Sequence, residues 1–82
     1  MDFDELEREA LTALRKVALG QIFLIRDLFE GHRWESLPKG DRLDFGRHFK
    51  RKVTTGAIQG VEYVGKAQNG SAEYVKIEEN DL

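Results

Sequence analysis

The chain has 82 residues, 40% of them hydrophobic and 34% charged, with one proline, eight glycines and no cysteine. That length allows one domain with a limited core, and that composition is globular. The lack of cysteine excludes disulfide staples, thiolate metal ligands and a cysteine nucleophile, and it fits a reducing, cytoplasmic setting. The formal net charge is only −2 but is unevenly spread. Residues 36–66 carry seven Lys/Arg against three Asp/Glu, residues 1–35 five against eight, and residues 67–82 one against four. The middle segment is therefore where a polyanionic partner would be met, unless the unevenness is only that of a solvated chain. The N-terminus MDFDELEREA lacks the basic start and apolar run of an export signal, and the apolar run Ile22–Ile25 is too short to cross a membrane. The expectation is a cytoplasmic protein with no membrane partner.

The first expected element is a helix from Phe3 to Ala18. Asp2 and Glu5 stand at capping-box spacing, and Phe3, Leu6, Ala10, Leu14 and Val17 form one apolar stripe. Gly20 ends it. Gln21–Ile25 reads as a short buried strand, although its periodicity also permits helix. Arg26–Glu30 reads as a short helix capped by Asp27 and closed by Gly31. His32–Gly40 is a connection, punctuated by Pro38 and Gly40 and pinned to the core by Trp34 and Leu37.

A second long helix is expected from Asp41 to Thr54. Phe45, Phe49, Val53, Gly46 and Leu43 share one arc of its wheel. Arg47, His48, Arg51 and Lys52 lie opposite, with Asp44 among them and Lys50 at the border. Gly46, inside the apolar arc, reads as a place where another backbone comes close. Val61–Val64 and Tyr74–Ile77 are β-branched and aromatic and read as strands. Gln68-Asn69-Gly70-Ser71 between them is a hairpin turn, and Tyr63 and Tyr74 are candidates for a cross-strand pair. The order helix, short strand, short helix, helix, β-hairpin predicts an α+β fold, a small winged-helix-like domain over residues 1–78, followed by a polar tail over 79–82.

Several of these residues carry a family resemblance. Gly20 to Phe29, Trp34, Leu37-Pro38, Gly46-Arg47-His48-Phe49, Gly65-Lys66 and Tyr74 together resemble the small bacterial and phage proteins grouped as domain of unknown function 1413. The resemblance spans nearly the whole chain. It implies a bacterial or phage origin and brings no activity and no functional residue with it.

Motifs for chemistry are few. Gly60-Val61-Glu62-Tyr63-Val64-Gly65-Lys66-Ala67 nearly spells a phosphate-binding loop. Ala67 replaces the hydroxyl that would hold Mg²⁺, and the segment reads as strand. His32 and His48 have no second ligand at metal spacing. Ser36 and Ser71 have no evident base or oxyanion hole. The expectation is a non-enzymatic protein without cofactor or metal.

The basic helix carries the functional reading. Arg47, His48, Lys50, Arg51 and Lys52 on the helix, Lys39 and Arg42 near its start, and Lys66 and Asn69 in the wing are the candidate nucleic-acid-binding residues. They point to double-stranded DNA as partner and to a bacterial or phage transcriptional regulator. Such a regulator would act as a homodimer, because one helix reads only a few base pairs. Acidic flanks support a different class: a protein-interaction module such as an adaptor, an antitoxin-like partner or a phage inhibitor of a host protein.

Overall fold

The computed structural model describes residues 3–68 and 70–78. Its elements are helix α1 (Phe3–Leu14), strand β1 (Ile22–Leu24), a 3₁₀ helix (Ile25–Leu28), helix α2 (Lys39–Thr54) and strands β2 (Val61–Lys66) and β3 (Ala72–Lys76). The strands form one antiparallel sheet in the order β1-β3-β2, so the last strand is central. Two helices with a three-stranded antiparallel sheet make an α+β fold, consistent with a winged-helix-like arrangement. The element order matches that expected from the sequence. Residues 79–82, Asp2 and Asn69 lie outside the described residues, and with them the expected tail, the expected cap of α1 and one residue of the hairpin turn.

Leu6, Ala10 and Leu14 are buried at successive turns of α1, the apolar stripe of the sequence. The helix stops at Leu14 instead of Ala18, and its end is met by a residue far along the chain. Lys76, fully buried in β3, donates its ammonium to the carbonyls of Leu14, Arg15 and Val17 at 3.1, 3.2 and 2.9 Å. The last carbonyls of a helix have no partner within it, and a cation at that end also favours the helix dipole. One side chain here meets the last carbonyl of α1 and two carbonyls of the turn that follows it.

The next segment departs from its expected boundaries. Ile25 belongs to the 3₁₀ helix and not to the strand. Asp27 is its third residue and not its cap, and its Oδ2 accepts the Leu24 N–H at 2.9 Å. Residues 31–37 then run in turns, held by Leu37, which is buried, and by Trp34, stacked on Phe29 at 5.3 Å and edge-on to Phe45 at 6.1 Å. Helix α2 begins at Lys39 instead of Asp41. Pro38 precedes it with φ −57°, and the Pro38 carbonyl accepts the Arg42 N–H at 3.0 Å. Proline's fixed φ suits a helix start, so Pro38 and Gly40 open the helix where the sequence suggested a loop.

Phe45, Phe49 and Val53 of α2 face the core. Leu43 does not: it is 53% exposed. Gly46 has no close backbone neighbour, since a Cβ there would meet nothing within 4 Å. Both residues lie instead on the rim of a groove. The position that needs glycine is Gly60, with φ +81°, where a Cβ would stand 2.8 Å from the Glu78 carbonyl oxygen. Across the sheet Tyr63 pairs with Tyr74, their rings 5.6 Å apart, and Tyr74 fills the centre of the core against Phe23 and Phe49. A register shift between Tyr63 and Gly65 bends β2, and the strand continues to Lys66. The segment that resembles a phosphate loop is therefore a bent strand.

Candidate nucleic-acid interface

Helix α2, the 3₁₀ helix and the β2–β3 hairpin enclose a groove of about 410 Å³. Arg42, Leu43, Gly46, Arg47 and Lys50 supply one wall, spaced so that they fall on a single face of α2. Tyr63, Lys66, Gly70, Ser71 and Ala72 supply the hairpin wall, and Arg26 with Trp34 closes one end. Five cations line this groove, and among the described residues that line it there is no Asp or Glu. The local field is therefore strongly positive in a chain whose net charge is −2.

The groove's cations differ in their surroundings. Lys50 Nζ lies 4.3 Å from the centre of the Tyr63 ring, a cation–π contact that joins α2 to β2. Arg47 pairs with Asp44 at 3.2 Å, with both side chains well exposed, a link weak enough for a stronger anion to displace. Arg42 is half-buried, its Nε is shielded from solvent, and that Nε has no acceptor among the described residues.

The structure does not bring all the sequence-derived candidates together. Arg42, Arg47, Lys50 and Lys66 meet at the groove. Lys39 is exposed at the start of α2, and Arg51 is exposed one turn beyond Arg47. Asn69 lies outside the described residues. His48 and Lys52, expected on the outward face, are turned towards α1, where Glu7 Oε1 accepts from His48 Nε2 at 2.9 Å and from Lys52 Nζ at 2.8 Å. The His48 ring also packs 5.3 Å from Phe3 and 5.9 Å from Phe45. Partial burial pushes the Glu7 carboxyl up, but the hydrogen bonds and charges of Lys52 and His48 outweigh it and hold Glu7 below its ordinary value. The wheel had treated the side opposite the core as wholly solvent-facing, whereas α1 reaches round to cover part of it.

A second clamp ties α1 to the loop before α2. Arg33 donates to both oxygens of Glu9, at 3.2 and 2.9 Å, and Glu5 lies 3.9 Å away. Glu9 in turn raises the Arg33 guanidinium above its ordinary value. Much of the acidity of α1 is thus spent on intramolecular cations, away from the groove.

Arg26, Trp34 and Tyr63 are groove residues that the sequence reading missed. Arg26 was hidden by tallying charge along the chain, because it belongs to the acidic first segment. Trp34 and Tyr63 do double duty, half-buried in the core with one side on the groove. Among the described residues no cluster of three His, Cys, Asp or Glu could hold a metal ion, and no helix is long and apolar enough to cross a membrane.

A solved structure described as "SCCmec type IV LP1413 - nucleic acids binding protein" superposes on this one with a TM-score of 0.62 and 20% identity, over 100% of this chain and 98% of that chain. At that identity the likeness is one of fold. No curated protein matches the chain. The family described as domain of unknown function (DUF1413) matches residues 8–76, nearly the whole described fold and all but the start of α1, and the chain belongs to that family.

Proposed function

We propose that this domain binds nucleic acid, and that the groove between α2 and the β2–β3 hairpin is where the phosphodiester backbone lies. One observation carries the reading: among the described residues, five cations and no carboxylate line a single concave surface of an acidic protein. The fold neighbour's description as a nucleic acids binding protein supports it. The binding set is Arg26, Arg42, Arg47, Lys50 and Lys66, with Lys39 and Arg51 extending the positive track along α2. His48 and Lys52 are left out because Glu7 occupies them.

The finer proposal is a non-enzymatic DNA-binding protein, a bacterial or phage regulator working in the cytoplasm. Sequence-specific reading of a duplex would call for a homodimer.

The test is fluorescence anisotropy with duplex and single-stranded oligonucleotides at low and physiological salt, using Arg47→Ala/Lys66→Ala as the control. Affinity should fall with salt, with a log–log slope of about −0.9 per phosphate neutralised on a duplex and about −0.7 on a single strand. The variant should flatten that slope. Binding to neither strand form at low salt overturns the reading. The exposed Ile22 and Ile77, 54% and 46% accessible, favour a protein partner as the second reading, and that result would direct the search there.

A further inference from the structure

We propose that the groove contains a discrete phosphate site with Arg42 as its principal donor, the Nε–H and the neighbouring Nη–H holding two oxygens of one phosphate. The ligand class, a phosphate of the nucleic-acid backbone, rests on the reading above; the site itself rests on the geometry of Arg42.

Arg42 lies in the first turns of α2 and lines the groove. Its Nε is buried and lacks an acceptor among the described residues. Buried N–H groups are almost always paired, because stripping water from a donor without replacing it is costly. An oxygen from outside the fold would reach this nitrogen once the guanidinium turns into the groove that Arg42 lines. Neighbouring charges show the contrast: Arg33 is held by Glu9, Arg47 by Asp44, Lys52 by Glu7, and Lys50 rests on Tyr63.

The missing acceptor should be an oxyanion with two oxygens to offer. The edge of a guanidinium presents two parallel N–H bonds, which match one phosphate. Shielding from water strengthens the attraction relative to an exposed arginine. Lys66 and Ser71 line the same groove from the hairpin side. Lysine in place of Arg42 would keep the charge and lose the fork, so Arg42→Lys separates this site from general electrostatic attraction.

The experiment follows the Arg42 Nε–H signal of the ¹⁵N-labelled domain by NMR during three titrations: a single-stranded oligonucleotide, a duplex, and inorganic phosphate. Alongside it, the Arg42→Lys variant is assayed for oligonucleotide affinity. The expected result is a downfield shift of the Nε–H signal with slowed exchange with water, and a loss of affinity on the order of tenfold in Arg42→Lys. If oligonucleotide binds and moves other groove signals while Arg42 Nε–H stays still and Arg42→Lys binds as the wild type, this proposal is overturned and the nucleic-acid reading stands. A shift with inorganic phosphate but no oligonucleotide binding supports the site and removes the nucleic-acid reading, leaving free phosphate compounds as the ligand. No shift of any groove signal with any of the three overturns both. The titrations use the wild-type protein, so a poorly folded variant does not affect them.

Discussion

Lys52 Nζ lies 2.8 Å from Glu7 Oε1, so the acidic first helix grips the basic second one at a point that does not line the groove. His48 shares the same oxygen. A helix face that looks uniformly basic in sequence is thereby divided: one part is consumed in holding α1, and the other is presented at the groove.

That division predicts a pattern of binding. Lys50→Ala, Arg47→Ala and Lys66→Ala should each weaken oligonucleotide affinity and reduce the salt slope by about one phosphate. Lys52→Ala should leave both nearly unchanged and lower stability instead. Anisotropy and thermal unfolding on the same four variants check it, and equal binding losses at Lys52 and Lys66 would refute the division.

Glu7 also predicts an acid dependence. Its carboxyl is held below its ordinary value of 4.5 in the folded chain. A depressed carboxyl contributes stability that is present above the unfolded value and is lost as pH falls through the folded one. Glu7→Gln should therefore cost about 1 kcal/mol near neutral pH, since the groups are partly solvated. The gap between variant and wild type should close below pH 4.5. Urea unfolding across that range measures it.

Tyr74 predicts the opposite end of the scale. Burial, with a smaller contribution from Tyr63, pushes its hydroxyl up to about 12. A raised value means the stabilisation is whole below the ordinary value of 10 and is lost as pH rises towards 12. Tyrosinate absorbance should show the Tyr74 step at about 12. The Tyr74 hydroxyl has no acceptor among the described residues, so Tyr74→Phe should be neutral or stabilising by up to about 1 kcal/mol. It should also blunt the alkaline loss of stability.

Lys76 is the residue whose replacement should hurt most. Lys76→Met keeps the bulk of the alkyl chain and removes the shared donor of the Leu14, Arg15 and Val17 carbonyls, of which Leu14 keeps the Val17 N–H at 3.2 Å. The expected cost is about 3 kcal/mol, a fall in melting temperature on the order of 15 °C. Calorimetry measures it, and a loss below about 1 kcal/mol would show that these bonds add little to those the unfolded chain makes with water.

Gly60→Ala meets two obstacles at once, a φ of +81° and a Cβ 2.8 Å from the Glu78 carbonyl oxygen. Destabilisation of about 1–3 kcal/mol is expected. Gly46→Ala, in open space on α2, should be stabilising by about 0.5–1 kcal/mol, since it removes a helix-interior glycine. Chemical denaturation of the pair gives the contrast.

The parts of this fold legible in the sequence are those governed by neighbours in the chain. The stripe Leu6, Ala10, Leu14 and the triplet Phe45, Phe49, Val53 mark both helices through their spacing. The β-branched and aromatic runs mark the strands. What was not legible depends on distant residues. The end of α1 is met by a lysine of β3. In the groove, Arg42, Arg47, Lys50 and Lys66 were legible as charges, and their union with Arg26 was not, because only the fold brings the 3₁₀ helix beside α2 and the hairpin. Lys76, between Val75 and Ile77 in a strand, is fully buried, and no local spacing marks it as the partner of α1.

The central place of β3 bears on how the protein is made. The Lys76 ammonium completes α1 across a separation of 62 residues, and β1 and β2 touch only through β3. While the nascent chain leaves the ribosome, neither helix has a sheet to close upon, and Phe23 and Phe49 lack the tyrosine between them. A chain interrupted before Ala72 would lack the strand to which β1 and β2 are both paired.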